Sequence, residues 1–435
     1  KTKGFTIPYA LDVLRDYGAG TVEVINVWNP ATHKTTATAI AYTFPTTGAS
    51  ADKIQLQQVT GTSPTQTVVA DTTAEGLTGT FSVTNAAGST TYVVDTDYTI
   101  NLITGELKRV VGGAITAGLA VKVTYTYADP SKVTASDVIG AVVLGDRTGL
   151  QAALDVAPLR GYKPKVLIAP WFSELPTVAT ELASMGDRLG AYFGIDAPAG
   201  VTRDEAIAGR GGTGVAAVFG TSNRRAMLCY PRIENSDGLM VPMSVHVAGA
   251  IAFTDANFGY SQSPSNQEMK NAVRPEVRLT GDFTDPNTDV NALNAAGIIT
   301  VFSGYGTGFR TWGNRSGLYP SDTTPLNFVA VGRTLDIFQE SLQQASLPFV
   351  DRRINNALID IIEATGNGFV REEILAGNLL EGSRLYYDPA KNPSTAIAAG
   401  KVVFSVVIAI PTPAERIVYE TTIDINLYSQ IGQQQ

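Results

Sequence analysis

The hydrophobic periodicity of the chain changes near residues 30 and 130, and this change constrains the fold more than any other feature. Between these points threonine is frequent, charges are sparse, and short strand-like runs are separated by Gly, Asn, Asp and Ser. Such runs between turn-forming residues are typical of antiparallel strands. After residue 131, helical stripes alternate with short apolar runs, which is an α/β pattern. We therefore predict an all-β segment inserted into an α/β core.

We expect three parts, because 435 residues are too many for one ordinary hydrophobic core. These are an α/β core, an inserted antiparallel β domain and an α+β C-terminal domain, formed by residues 1–30 with 131–322, residues 31–130 and residues 323–435, respectively. The first part includes a strand predicted over residues 21–27. The third includes two helical faces, one stopped near Pro348 and the other at Gly366.

The last 35 residues predict a strand that is available for pairing. Residues 401–410 are an almost unbroken apolar run. Beyond Pro413, mostly apolar residues alternate with polar or charged ones. The positions on one face are Ile417, Tyr419, Thr421, Ile423, Ile425 and Leu427. A period of two over this length predicts a strand with one wet face. The polar tail from Tyr428 onward has no core-forming pattern, so the strand is expected to pair with another chain.

Composition excludes several classes of function. The net charge of −8 argues against nucleic acid as a partner, and no apolar run is long enough to insert into a membrane. The single cysteine, Cys229, cannot form an internal disulfide and is expected to be buried on a strand. Asp282, Asp285 and Asp289 are interpreted first as turn formers and a helix cap, with a loosely bound cation as the alternative. We predict no metal site and no cofactor.

Two patterns suggest catalysis only weakly. Residues 209–214 satisfy the G-x-G-x-x-G spacing of dinucleotide sites, but the residues before them predict a helix instead of the required strand. Ser222 lies two residues after Gly220 and, with His246 and Asp146, would supply the residue types of a serine hydrolase. A polar turn follows Ser222, so a surface turn and a packed histidine explain the same residues. We predict no catalytic residue.

The stretch GYGTGFRTWGNRS, residues 304–316, is the densest unusual segment. Its glycines permit a tight backbone, and it contains Arg310, Trp312 and Arg315. One interpretation is a buried turn in which arginine stacks on tryptophan. The other is a contact between subunits, where tryptophan and arginine are favoured anchors. The two interpretations are compatible.

An ordered set of motifs spans most of the chain outside residues 31–130. These motifs are FTIPYALD and TVEVINV, GLQAAL and KVLIAPWFS, RAMLCYPRIE, VAGAIAFTD and SPSN, LNAAGI and GFRTWGNRS, and PTPAERIVYETTIDI. In this ordered set the chain resembles the tail sheath proteins of contractile bacteriophages and of phage-tail-like bacteriocins.

The resemblance implies a mechanical protein and not an enzyme. Its core would be subtilisin-like without protease activity, and its C-terminal domain would lie nearest the tail tube. Copies would stack as helical rings around the tube and link by terminal arms that add strands to a neighbour's sheet. Contraction would then drive the tube through the host envelope. The family usually has further residues, including an N-terminal arm, before FTIPYALD.

The resemblance also implies partners and a location. The partners are other copies of the chain, the tail tube protein, and the baseplate and tail terminator proteins, in a virion assembled in the host cytoplasm. Arg352 and Arg353, which are predicted to open a helix in the domain expected to face the tube, would meet an acidic tube surface. The β insertion is expected on the outer surface. Alternatives from other classes are the serine hydrolase above and a surface adhesin built on the β insertion.

Overall fold

The fold comes from a computed structural model and is described over most of the chain. The described residues are 6–47, 52–60, 63–67, 81–101, 105–282, 284–285, 287–304 and 306–431. Their contacts divide the chain into a first unit, residues 1–253 with 264–322, and a second unit, residues 254–263 with 323–435. None of the helices in these ranges is both long and apolar enough to cross a bilayer.

Helices are concentrated after residue 130. The α-helices in the described residues are α1 Ile7–Asp16, α2 Ala135–Ile139, α3 Val156–Arg160, α4 Pro176–Leu189, α5 Arg203–Gly209, α6 Met243–Phe258, α7 Asp289–Ala295, α8 Val329–Ser346, α9 Asn356–Leu375 and α10 Ser394–Ala398.

Strands occur along the whole chain but are longest before residue 130. They are β1 Lys34–Thr43, β2 Lys53–Gln55, β3 Gln57–Thr60, β4 Ser63–Thr67, β5 Ser82–Asn85, β6 Tyr98–Asn101, β7 Glu106–Arg109, β8 Ala120–Ala128, β9 Val142–Val143, β10 Asp146–Arg147, β11 Val166–Leu167, β12 Tyr192–Asp196, β13 Ala226–Cys229, β14 Ile233–Glu234, β15 Met240–Val241, β16 Arg274–Pro275, β17 Ile298–Ser303, β18 Phe309–Trp312, β19 Arg384–Tyr387 and β20 Phe404–Val407.

The segment between residues 34 and 128 is built of antiparallel ladders, as its periodicity predicts. One sheet has the order β1-β8-β5 and another the order β2-β7-β6. In β8 the alternate residues Val121, Val123, Tyr125 and Tyr127 are buried. They belong to a hydrophobic cluster made only of residues from this segment. The period of two thus places one face of the strand in a core of its own.

The rest of the first unit is organised around a five-stranded sheet. Its order is β11-β12-β13-β17-β18, parallel except for β18 at one edge. β12 is buried along its full length, as expected for a strand covered on both faces. Helix α4 packs on this sheet through the stripe of Val178, Leu182, Met185 and Leu189. The mixed α/β content that the sequence predicts is therefore present.

The predicted strand over residues 21–27 is not formed in the described chain. These residues belong to no ladder, although Ile25 and Val27 pack against the core of the sheet. Val22 and Val24 remain exposed. Exposure alternates only over residues 24–27, and in the described chain no neighbouring strand bonds with this segment.

The second unit combines two long helices with a small sheet. Phe338 on α8 and Phe369 on α9 stack with ring centroids 5.3 Å apart, over a core that includes Val370 and Leu379. Helix α8 ends before Pro348, as predicted. The prediction of a helix end at Gly366 is wrong, because Gly366 lies inside α9.

Packing explains the glycine within α9. A Cβ atom at Gly366 would lie 2.7 Å from Leu385 Cδ1 on β19. The small residue therefore permits close contact between helix and sheet instead of ending the helix.

Candidate functional site

The C-terminal segment from residue 417 onward exposes a run of apolar side chains, whereas Ile408 and Ile410, just after β20, pack against the core of the second unit. No helix or strand forms over residues 408–424, and one 3-10 turn, Ile425–Gln430, follows. The predicted strand is therefore absent from the isolated chain. Neighbouring side chains of this segment, which would point to opposite faces of a strand, are both exposed, Ile417 to 67% and Val418 to 65%. Without a partner strand, neither face has a surface to pack against.

The residues predicted for subunit linkage are all exposed. Ile417, Tyr419 and Ile423 lie in the irregular part, with Thr421 between them, whereas Ile425, Leu427 and Tyr428 lie in the 3-10 turn. Asp424 caps this turn by accepting a hydrogen bond from Asn426 N at 2.9 Å. The Gln-rich end, residues 432–435, falls outside the described residues.

Strands β19 and β20 form a two-stranded antiparallel sheet, and α9 covers the outer edge of β19. Leu385 N donates to Asn367 Oδ1 at 2.9 Å, and Asn367 Nδ2 donates back to Leu385 O at 2.7 Å. Tyr387 N donates to Glu363 Oε2 at 3.2 Å. The backbone groups of Leu385 and Tyr387 therefore point away from β20, and both groups of Leu385 and the N–H of Tyr387 are already bonded.

The backbone groups on the outer edge of β20 can be identified from the hydrogen-bonding pattern of the β19–β20 pair. In an antiparallel pair, residues that bond across the ladder alternate with residues whose backbone groups point outward on both strands. Val406 pairs with Leu385 and Phe404 pairs with Tyr387. The N–H and C=O groups of Phe404 and Val406 thus point away from β19. In the described residues no strand pairs with β20 on that side.

The aromatic and arginine residues of residues 304–316 have partners within the chain. Trp312 lies on β18, and its ring centroid is 4.8 Å from that of Phe302 on β17. Arg315 lies over the ring of Tyr319 at 4.3 Å, and Arg310 Nη1 donates to Asn266 O at 2.9 Å. In these contacts arginine lies on a tyrosine ring or donates to a backbone carbonyl, and Trp312 packs against Phe302; the stacking of arginine on tryptophan stays a prediction.

Arg352 and Arg353 lie on the exposed connection between α8 and α9. The predicted position at the start of a helix is wrong, since α9 begins three residues after Arg353 and is capped by Asn355. Arg352 lies over the Phe349 ring at 5.6 Å. Leu347 and Val350 are exposed on the same connection. It therefore presents both apolar and basic side chains.

The residues of the hydrolase alternative do not form a triad. Ser222 lies exposed in a turn, and Asp146 is exposed on the β9–β10 hairpin. His246 is fully buried on α6, with its Nδ1 atom 3.4 Å from Tyr17 Oη. Burial lowers the pKa of His246 to about 3. A histidine closed off from solvent cannot take a proton from an exposed serine.

The acidic residues considered for a cation act as turn formers. Asp282 accepts from Thr284 N at 2.8 Å, Asp285 accepts from Asn287 N at 2.9 Å, and Asp289 accepts from Thr280 N at 2.8 Å. Over the described ranges, no group of three or more His, Cys, Asp or Glu side chains is arranged to hold a metal ion.

Arg210 explains the glycine-rich loop, although its role was not predicted from the sequence. Its guanidinium donates to backbone carbonyl oxygens of residues that are far apart in the chain. The acceptors are Ala296, Phe219, Thr221, Gly317 and Tyr319. The glycines around Arg210 let the chain fold closely, since a Cβ atom at Gly209 would lie 2.2 Å from Ala216 O. The motif builds an internal clamp and not a dinucleotide site.

Asp196 is a second internal clamp, at the carboxyl end of β12. Its carboxylate accepts from Ser173 Oγ at 2.6 Å, Ser244 Oγ at 2.6 Å and Ser244 N at 2.8 Å. Burial raises the pKa of Asp196, and these hydrogen bonds oppose the rise. Active sites of open α/β sheets commonly lie at this end of the strands. Here the buried polar groups bond to one another and fasten the start of α6 to the sheet.

Comparison with known proteins identifies relatives over almost the whole chain. The family model described as "Phage tail sheath protein central domain" matches residues 145–316. The tail sheath protein of Burkholderia phage BcepMu is 43% identical over 427 residues, which cover 97% of this chain and 85% of that protein. A putative prophage major tail sheath protein of Pseudomonas aeruginosa (strain UCBPP-PA14) is 31% identical over 297 residues, which cover 66% of this chain and 72% of that protein.

The fold is also found among solved structures. The helical sheath of the anti-feeding prophage in its contracted state matches with a TM-score of 0.52 and 21% identity. The match covers 63% of this chain and 74% of the sheath chain. At this level of identity, the likeness shows a common fold.

Proposed function

The chain belongs to the phage tail sheath family, and from this premise we propose that its C-terminal segment links neighbouring copies by adding a strand to the open edge of β20. As a member of this family the protein is a structural sheath subunit of a virion or tail-like particle and not an enzyme. The observation that carries the proposal is the exposure of an alternating segment next to a sheet with one open edge.

Burying the exposed apolar side chains of this segment against a partner lowers the free energy. Ile417, Tyr419, Ile423 and Ile425 are each exposed by 67% or more. Burying four such side chains contributes on the order of 6 to 12 kcal/mol. Ordering the backbone costs about 1 to 2 kcal/mol per residue. Side-chain burial alone therefore does not fix a segment of this length, and backbone hydrogen bonds to a strand edge must contribute.

The edge of β20 supplies those hydrogen bonds. It presents the N–H and C=O groups of Phe404 and Val406, whereas α9 already satisfies the matching edge of β19. An incoming strand has one edge to join in the described part of this sheet. Strand addition of this kind gains its affinity from main-chain bonds and its specificity from alternate side chains.

The charges of the two surfaces are complementary. Residues 411–428 contain Glu415, Glu420, Asp424 and Arg416, which gives 1 − 3 = −2. Residues 384–407 contain three bases and one acid, which gives 3 − 1 = +2. Opposite charge on two exposed surfaces raises the rate of encounter and helps to set the register.

The remaining features fit a subunit that surrounds a tube. We propose that copies stack as helical rings around a tail tube, contract to drive it through the host envelope, and contact baseplate and terminator proteins at the two ends. Assembly would take place in the host cytoplasm. The core would be subtilisin-like, the β insertion would lie on the outer surface, and Arg352 and Arg353 would face the tube. Arg310, Trp312 and Arg315 would support the turn that they occupy.

Two changes test the linkage. Deleting residues 423–435 removes half of the alternating segment and should abolish tube-like polymers in electron micrographs. Val406→Pro should do the same, because proline removes an outward N–H from β20 while leaving the ladder to β19 intact. Val406→Ala is the matched control, since it keeps that N–H and should polymerise. Normal tubes from both the deletion and Val406→Pro would refute the linkage.

A further inference from the structure

The β9–β10 hairpin displays an apolar tip. Val142, Val143 and Leu144 follow one another and are exposed to 56%, 60% and 102%, respectively. Leu144 and Gly145 form the two-residue turn between the strands. Isolated exposed apolar residues are ordinary on protein surfaces, but three in a row at the end of a hairpin are not.

The turn is also strained in a way that an isolated chain does not require. Leu144 has φ 53° and Gly145 has φ 98°. Two-residue hairpin turns with positive φ at both positions favour Asn-Gly or Asp-Gly, whereas leucine disfavours the left-handed region. A polar residue would be both less strained and better solvated at position 144. Strain kept without an internal contact points to a contact outside the chain.

The base of the hairpin holds the tip in place. Thr148 N donates to Ala141 O at 3.0 Å, and Ala141 N donates to Thr148 Oγ1 at 3.0 Å. Gly140 fits so closely that a Cβ atom there would lie 1.8 Å from Thr148 O. Arg147 is ion-paired with Asp155 in the segment that follows. The tip is thus a preorganised projection and not a loose loop.

We propose that this tip packs against a neighbouring copy of the chain and forms a second contact between sheath subunits, separate from the C-terminal strand. The inference rests on the proposed polymerisation. A helical polymer uses heterologous contacts, in which two different surfaces of the same chain meet. A projection on the first unit therefore needs a receiving surface elsewhere on an identical chain.

The surface at the end of α3 fits that role. Leu159 is exposed to 77% and Tyr162 to 40%, and Arg160 lies between them in sequence. Glu23 positions this surface, since Tyr162 Oη donates to Glu23 Oε1 at 2.6 Å and Arg160 Nε lies 3.4 Å from the same atom. The surface is apolar with an exposed arginine, and the hairpin tip is apolar with the exposed Asp146 beside it. The apolar side chains of the two surfaces can pack together, and Arg160, which is 63% exposed beside Glu23, can also pair with Asp146.

Leu144→Asn tests the tip directly, because asparagine tolerates positive φ but removes the apolar side chain. The folded subunit should melt at the same or a higher temperature, while the fraction of protein in sheath polymer should fall at least tenfold. Val111→Asn is the matched control, since Val111 is exposed to 78% on the β insertion. It should polymerise normally. Unchanged polymer from Leu144→Asn would overturn the proposal.

The receiving surface is tested by mixing two variants, Leu144→Cys and Leu159→Cys, each with one surface thiol. The native Cys229 is buried and does not interfere. After coassembly and mild oxidation, a disulfide-linked dimer containing both new cysteines is expected. Its absence from well-formed mixed polymers would overturn this pairing. Failure of the unmodified protein to polymerise would instead count against the proposed function, so the two failures are distinguishable.

Discussion

At the scale of single residues, His246 makes stability sensitive to acid. Burial holds its pKa at about 3, below the ordinary value of about 6.5. Below pH 6.5 the unfolded chain binds a proton that the folded chain does not, so the free energy of unfolding falls by about 1.4 kcal/mol per pH unit. This contribution is fully present above pH 6.5 and is lost as the pH falls toward 3.

The prediction is that His246→Leu is less sensitive to acid than the unmodified protein. Urea unfolding of unassembled subunits at pH 7 and pH 5 should show a loss smaller by roughly 2 kcal/mol in the variant. The comparison uses the change with pH, so a general effect of the new leucine cancels. Equal losses in both proteins would show that His246 is accessible to protons in the folded state.

Arg210 carries a second prediction at this scale. Its planar guanidinium bonds to carbonyl groups of five residues, and a lysine ammonium cannot reach that set. Arg210→Lys should lower the free energy of unfolding by roughly 2 to 4 kcal/mol, because buried carbonyl groups lose their partners. Arg278→Lys, on an exposed arginine, should change it by less than about 0.5 kcal/mol. Equal effects of the two variants would contradict the clamp.

The hydrogen-bond partners of Arg210 and Asp196 could not be predicted from the sequence. The glycine spacing around Arg210 was visible, but the carbonyl groups that it bonds come from segments about a hundred residues apart. Asp196 lies within the predicted α/β core, yet neither Ser173 nor Ser244 is near it in sequence. Such partners depend on tertiary packing, which local pattern does not encode.

At the scale of elements, periodicity predicted side-chain alternation better than it predicted pairing. The stripe of α4 and the alternation in β8 were visible because one face of each packs within the same chain. Residues 21–27 and 417–427 show similar alternation but form no ladder in the described chain. A strand requires a partner in register, and the sequence of one chain does not say where that partner lies.

The connection between α8 and α9 gives a prediction for this scale. It exposes Arg352 and Arg353 beside Leu347 and Val350, a combination suited to an acidic protein surface. Reversing both arginines to glutamate should weaken association of the sheath with its tube at least tenfold in cosedimentation. The variant should still form polymers without tube, because the connection is not part of the proposed linkage.

A conservative variant makes this test specific for charge. Replacing both arginines by lysine keeps the charge and should retain most of the tube association. If the glutamate variant bound tube as well as the unmodified protein did, the tube-facing assignment would be wrong.

At the scale of the whole molecule, the ordered motifs predict the family and its structural role, whereas the surfaces of assembly stay predictions. The motifs KVLIAPWFS and GFRTWGNRS lie within or beside the sheet of the first unit, and a protein of the same family is 43% identical to this chain. Arg310, Trp312 and Arg315 each contact a residue of the same chain, which favours the structural interpretation of the most unusual sequence stretch. The exposed linkage segment has only a simple alternation.

Amide hydrogen exchange across residues 417–427 is the most direct test of the central claim. In unassembled subunits these amides should exchange rapidly, because the segment forms no ladder and its side chains are exposed. In assembled sheath, alternate amides of this segment, together with those of Phe404 and Val406, should exchange at least a hundredfold more slowly. Rapid exchange of residues 417–427 in well-formed sheath would show that the C-terminal segment does not pair with a neighbour.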